Sequence, residues 1–135
     1  MFVDTSSLFK KYAEEPGSDA FEGLLSQATE IAVSPVTWVE MNAAIGRRLR
    51  ARSLSIKQAE WLSVEAKKDY AYFLQVLWNE NLENKAVELV RRHALRTMDA
   101  VQLASGILSE STLFVTSDRK LYLEAKKVIR RVRYV

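Results

Sequence analysis

The chain contains no cysteine. Disulfide staples and thiolate metal sites are therefore excluded, and a reducing cytoplasm is the expected setting. No apolar run approaches the roughly 18 residues that a membrane span requires, and the start lacks a charged-then-apolar leader, so no membrane role is expected. Histidine occurs once, at His93 near the end of an expected helix, where a C-terminal cap interaction is its expected role. Lysine and arginine exceed aspartate and glutamate by only 20 to 17. So mild a surplus permits a polyanionic partner without requiring one. With 48% hydrophobic and 27% charged residues the composition is that of an ordinary globular chain. Its length supports one core rather than two, so a single domain over residues 1–135 is expected.

Proline and glycine are also scarce, two and four, so each marks a boundary. Phe2-Val3 reads as a first strand, and Pro16-Gly17 closes a first helix expected over residues 7–15. A second helix has Ser18 or Asp19 as its cap and Phe21, Leu24 and Leu25 as its apolar stripe. Ile31-Ala32-Val33, closed by Ser34-Pro35, reads as a buried strand. Thr37-Trp38-Val39-Glu40 has the spacing of a capping box and opens a helix expected over residues 37–52. Ser55-Ile56-Lys57-Gln58 is a second box, opening a long helix towards residue 77. Beyond Asn79-Glu80-Asn81, helices are expected over residues 82–93 and 97–109. Leu113-Phe114-Val115 is a further strand, residues 119–127 a last helix, and residues 132–135 a closing strand. Short apolar strands alternating with helices predict an α/β fold, a three-layer α/β/α sandwich around a central parallel sheet.

Ligands of open parallel sheets bind beyond the carboxyl ends of the strands. Asp4 directly follows the first strand, Asp118 follows Leu113-Phe114-Val115, and Glu40 lies in the first turn of the helix leaving Ile31-Ala32-Val33. Asp99 reaches the same edge by length. Residues 97–109 span roughly 20 Å as helix at about 1.5 Å per residue, and residues 112–118 return roughly 20–23 Å at about 3.3 Å per residue. Each acid alone has a structural explanation. Asp4 and Asp118 suit N-caps, Glu40 suits the box with Thr37, and Asp99 suits the positive end of a helix dipole. Together they crowd like charges that a divalent cation would relieve, and hard oxygen ligands without histidine or cysteine select Mg²⁺ or Mn²⁺ over zinc.

Four stretches in order, Val3-Asp4-Thr5-Ser6, Glu40 after Thr37, His93-Ala94-Leu95-Arg96-Thr97-Met98-Asp99-Ala100-Val101-Gln102-Leu103-Ala104 and Val115-Thr116-Ser117-Asp118-Arg119, resemble the PIN-domain ribonucleases. Within them the chain is most similar to VapC-type toxins of bacterial and archaeal toxin–antitoxin pairs, and the resemblance spans essentially its whole length. It implies a metal-dependent endoribonuclease of PIN-like fold in which Asp4, Glu40, Asp99 and Asp118 form the acidic quartet that binds Mg²⁺ or Mn²⁺. Thr5, Ser6, Thr116 and Ser117 match positions that support those acids from behind. It also implies an RNA substrate, a homodimer and a cognate VapB-type antitoxin that blocks the acidic pocket. One departure is visible, Ala94 where many relatives have glycine after the histidine, which would be strained if that turn required a positive φ.

Arg96 and Arg119 each lie within three residues of a quartet acid and are the expected RNA contacts. Lys10, Lys11 and the run Arg47-Arg48-Leu49-Arg50-Ala51-Arg52 are further rim candidates. Of Trp38 and Trp61, at least one is expected at a protein–protein contact. A haloacid-dehalogenase-type phosphotransfer site would need a second acid two residues after Asp4, where Ser6 stands; a receiver domain would need an acid pair near its first strand. The remaining alternative is a catalytically inactive PIN-like module that binds RNA or protein.

Overall fold

Phe2–Val3 (β1) is only two residues long, and its pleat sends the two side chains to opposite sides of the sheet. That step seeds both cores. Phe2 packs with Ala32 and Phe114, and Val3 with Val33 and Val115, every one of them almost wholly buried. The computed structural model describes residues 1–135. Its other strands are β2 (Ala32–Val33), β3 (Leu74–Gln75), β4 (Phe114–Thr116) and β5 (Val132–Tyr134). All five join in one parallel sheet of order β3-β2-β1-β4-β5.

The Val3 face is covered by α1 (Thr5–Leu8), a 3₁₀ turn (Phe9–Lys11), α2 (Ser18–Leu25), α3 (Thr37–Arg50) and α4 (Ile56–Tyr70). The Phe2 face is covered by α5 (Glu80–Arg92), α6 (Thr97–Leu108) and α7 (Arg119–Val128). This is the expected α/β/α sandwich. The helices change face because the chain winds outward from β1 to β3, then returns to the other side of β1, and right-handed crossovers then require the opposite layer. The rings of Phe2 and Phe114 stack with centroids 5.2 Å apart. A Cβ at Gly106 of α6 would stand 2.5 Å from Phe114 Cε2, so only glycine lets the helix lie this close to the rings.

Four local expectations are corrected, the simplest being that α2 is capped by Gly17 without a side-chain bond and not by Ser18 or Asp19. The first helix starts at Thr5 rather than Ser7 and tightens into the 3₁₀ turn by Lys11, well short of Glu15. Lys11 and Tyr12 both bond Asp69 of α4, at 2.6 and 2.8 Å, and these contacts take the chain out of the helix. The long helix stops at Tyr70, and β3 follows, bonded to the next strand by Leu74 N–H to Ile31 O (2.9 Å) and Val76 N–H to Val33 O (3.0 Å). A two-residue edge strand is too short to show a periodicity of its own. Finally, α3 is capped by Val36 without a side-chain bond, and no box forms at Thr37, whose buried hydroxyl has no partner. The Ser55–Gln58 box does form in both directions. Ala94 avoids the positive φ, which among non-glycine residues occurs only at Arg52 and Glu110.

Candidate functional site

Winding reverses between β1 and β4, and the crevice at such a reversal is where open α/β sheets bind ligands. Asp4 leaves the end of β1 and Asp118 follows the end of β4, so the two flank the reversal. Both line an open cleft of about 680 Å³ that Glu40 of α3 and Asp99 of α6 also line. All four acids of the expected quartet are therefore brought to one cleft.

Each carboxylate accepts hydrogen bonds from the protein through one oxygen. Asp4 Oδ2 accepts from Ser6 N–H (3.3 Å), from the Ser6 hydroxyl and from the Thr116 hydroxyl (2.9 Å). Asp118 Oδ1 caps α7 by accepting from Leu121 N–H at 2.9 Å. Glu40 Oε2 accepts from the Thr5 hydroxyl (2.9 Å) and the Gln102 amide (2.5 Å). Asp99 Oδ2 accepts from Arg96 Nε at 3.0 Å. The other oxygens of Asp4, Glu40 and Asp99 receive no hydrogen bond from the protein. Capping and cleft-lining thus coexist at Asp4 and Asp118, because a carboxylate has two oxygens and a cap uses one.

The expected supporting hydroxyls lie where they can act. Thr116 Oγ1 also accepts Asp118 N–H at 3.0 Å, so one side chain ties Asp4 to Asp118. Ser6 Oγ accepts Ser117 N–H at 3.0 Å, and Ser7 and Ser117 hydroxyls meet at 2.9 Å. Thr5 holds Glu40. Burial pushes the Asp4 carboxyl up from 3.8 to about 6, against the lowering effect of the Ser6 and Thr116 bonds, with the Glu40 charge adding to the rise.

Arg96 is the nearest cation. Its Nε meets Asp99 at 3.0 Å and its Nη2 stands 3.6 Å from Asp118 Oδ2, so the guanidinium bridges two quartet acids from an exposed position. The Asp99 bond pushes its own pKa up further. The donor set suits a hard dication, being all oxygen, with three oxygens that take no protein bond. As the side chains stand, no three acids close on a common point to hold an ion. Arg96 thus stands between Asp99 and Asp118, two of the residues that would hold an ion.

The basic residues divide. Lys10, Arg47 and Arg48 line the cleft, the last two following Glu40, Ala43 and Ala44 along one stripe of α3. Arg48 is paired with Glu15 and lies 4.2 Å above the Phe9 ring. Arg119 does not line the cleft; its guanidinium lies over Tyr134, 5.9 Å from the ring centroid. Asp118 is the extended N-cap of α7 while Arg119 is its first helical residue, a difference that sequence proximity conceals. Lys11, Arg50 and Arg52 lie outside the lining as well. His93 caps α5 through its backbone, and its Nδ1 pairs with Glu124 of α7 at 2.8 Å. Trp38 packs on Tyr70 while Trp61 is 57% exposed, so the two are not both buried within the chain.

Sequence reading missed Gln102 as a site residue. The available signal was an amide in the apolar stretch from Ala100 to Gly106, one helical turn beyond Asp99.

The fold and the carboxylate cleft at its winding reversal define an α/β protein built to gather acids at one edge of a parallel sheet. The family model described as PIN domain matches residues 1–127, and the chain belongs to that family. PIN domains are generally nucleases and typically use divalent metal ions. No curated protein matches the sequence. Among solved structures, the chain is similar to one described as a toxin–antitoxin complex from Klebsiella pneumoniae, with TM-score 0.67, 16% identity, and 90% of this chain and 88% of that chain covered. It is also similar to one described as FitAcB from Neisseria gonorrhoeae, with TM-score 0.69, 13% identity, and 97% and 94% covered. No helix is long and apolar enough to cross a membrane.

Proposed function

We propose that this protein is a Mg²⁺- or Mn²⁺-dependent endoribonuclease and the toxin of a VapC-type pair, a single cytoplasmic PIN domain that works as a homodimer and is restrained by a VapB-type antitoxin. One observation carries the reading: four carboxylates from four separate elements line one cleft, and three of them present an oxygen that nothing in the protein engages. Family membership supports nuclease chemistry, and the toxin–antitoxin description of one structural neighbour supports the biological role.

Asp4, Asp99 and Asp118 would hold the ion, with Glu40 beside it as a further ligand or as the group orienting water. When bound, the ion supplies phosphoryl polarisation and a water of lowered pKa. The protein does the rest. Ser6 and Thr116 fix Asp4, and Thr116 couples it to Asp118, so the acids keep their spacing while substrate enters. Arg96, released from Asp99 and Asp118, becomes a phosphate contact at the edge of the site, and Arg47 provides positive charge for the RNA backbone.

A second reading, a catalytically inactive module that binds RNA or protein, draws on the Arg96 bridge, which offsets one of the two negative charges of Asp99 and Asp118 without metal. The discriminating experiment is cleavage of mixed cellular RNA with Mg²⁺ or Mn²⁺ and with EDTA, comparing wild type with Asp4→Asn and Asp99→Asn. The nuclease reading expects cleavage only by wild type with metal. Equal cleavage by wild type and both variants, or none by any, rejects it.

A further inference from the structure

We infer that Gln102 is a positioning residue for Glu40, holding that carboxylate so that its second oxygen is presented to the cleft. Three side chains form a closed triangle. Gln102 Nε2 donates to Thr5 Oγ1 (2.7 Å) and to Glu40 Oε2 (2.5 Å), and the Thr5 hydroxyl donates to the same Glu40 oxygen (2.9 Å). Both amide protons and the hydroxyl proton are used, and all three bonds support one orientation of the Glu40 side chain. The amide cannot be reversed, because its carbonyl would then face a carboxylate that has no proton to offer.

Placement gives the triangle its purpose. Gln102 is 1% exposed on α6, within a run from Ala100 to Gly106 that is otherwise small or apolar apart from Ser105. Its Oε1 is buried without a partner. A hydrocarbon side chain would avoid that penalty, so packing does not explain the amide. Asp99 lies three residues earlier on the same face of α6. One helix therefore brings Asp99 to the cleft and, a turn deeper, sets where Glu40 of α3 stands relative to it. This inference rests on the metal-site reading of the quartet.

The test is Mn²⁺ binding by calorimetry to metal-free wild type, Gln102→Met, Glu40→Ala and the double variant, with thermal unfolding of each. Methionine keeps the length and removes the orphan oxygen, so the melting temperature of Gln102→Met should be no lower than that of wild type. Its Mn²⁺ affinity should fall about ten- to hundred-fold, the usual effect of removing a partner that orients a ligand. In the Glu40→Ala background the same substitution should change affinity no further, because it acts through Glu40. Thr5→Val, which removes the other donor, should weaken Mn²⁺ binding in the same Glu40-dependent way and serves if Gln102→Met fails to fold. Wild-type affinity in Gln102→Met, or an equal loss with and without Glu40, overturns the inference while leaving the nuclease reading intact. Absence of Mn²⁺ binding by wild type overturns both.

Discussion

Replacing Asp4 by asparagine should stabilise the metal-free protein while removing its function. All three hydrogen bonds to Asp4 end on Oδ2, and an asparagine carbonyl can accept the same three. The charge is lost, and an amide NH₂ replaces the oxygen that takes no bond from the protein. Burial raises the native carboxyl to about 6, whereas in the unfolded chain it releases its proton near 3.8. Between those values the native state binds more protons, so the free energy of unfolding falls as pH rises through that window. The loss is complete above about pH 7 and amounts to about 3 kcal/mol, a shift of about 2 units at about 1.4 kcal/mol each. In a domain of this size that corresponds to roughly 10 °C in melting temperature. The assay is thermal unfolding of wild type and Asp4→Asn in EDTA from about pH 4 to pH 8. The variant's advantage should be small at the acid end and grow with pH. Adding Mn²⁺ near neutral pH should stabilise wild type and not the variant. A variant less stable than wild type at high pH, or a difference independent of pH, would refute the account of a carboxylate retained against its own desolvation.

Two further outcomes follow from the geometry. Arg96→Met removes the guanidinium from between Asp99 and Asp118. Exposed ion pairs contribute only about 0.2–1 kcal/mol each, so with two pairs lost Mn²⁺ affinity should rise by up to about thirtyfold while the KM for RNA also rises; calorimetry and cleavage kinetics check the two halves, and unchanged metal affinity would show that the bridge does not compete. Gly106→Ala would force a methyl against Phe114 and Phe2, destabilising the fold by about 1–3 kcal/mol or more, as a urea titration would record.

Some elements were readable because everything that specifies them is close in sequence. The Ser55–Gln58 box forms as its spacing predicts, since donor and acceptor lie within one helical turn. The strands Phe2–Val3 and Ala32–Val33 were evident as apolar runs beside turn residues. Where tertiary contacts compete, local reading failed. Tyr12 and Lys11 reach Asp69, 57 and 58 residues away, and the first helix ends early. Leu74–Gln75 becomes a strand only because Ala32–Val33 offers it an edge. Glu40 has the spacing of a capping residue, yet its partners are Thr5 and Gln102, 35 and 62 residues away.

The amino-acid sequence by itself determined the class of this fold, the absence of thiolate and imidazole ligand sets, and the acids that one edge of the sheet would carry. Those depend on hydrophobic spacing and on which residue types are available, both of which are local or compositional. Only the tertiary structure decided which oxygen of each carboxylate is engaged, that Arg96 rather than Arg119 faces the acids, and that Gln102 belongs to the site. Hydrogen bonds between side chains are directional and reach about 3 Å, so which partners meet is set by how helices from distant stretches pack on the sheet.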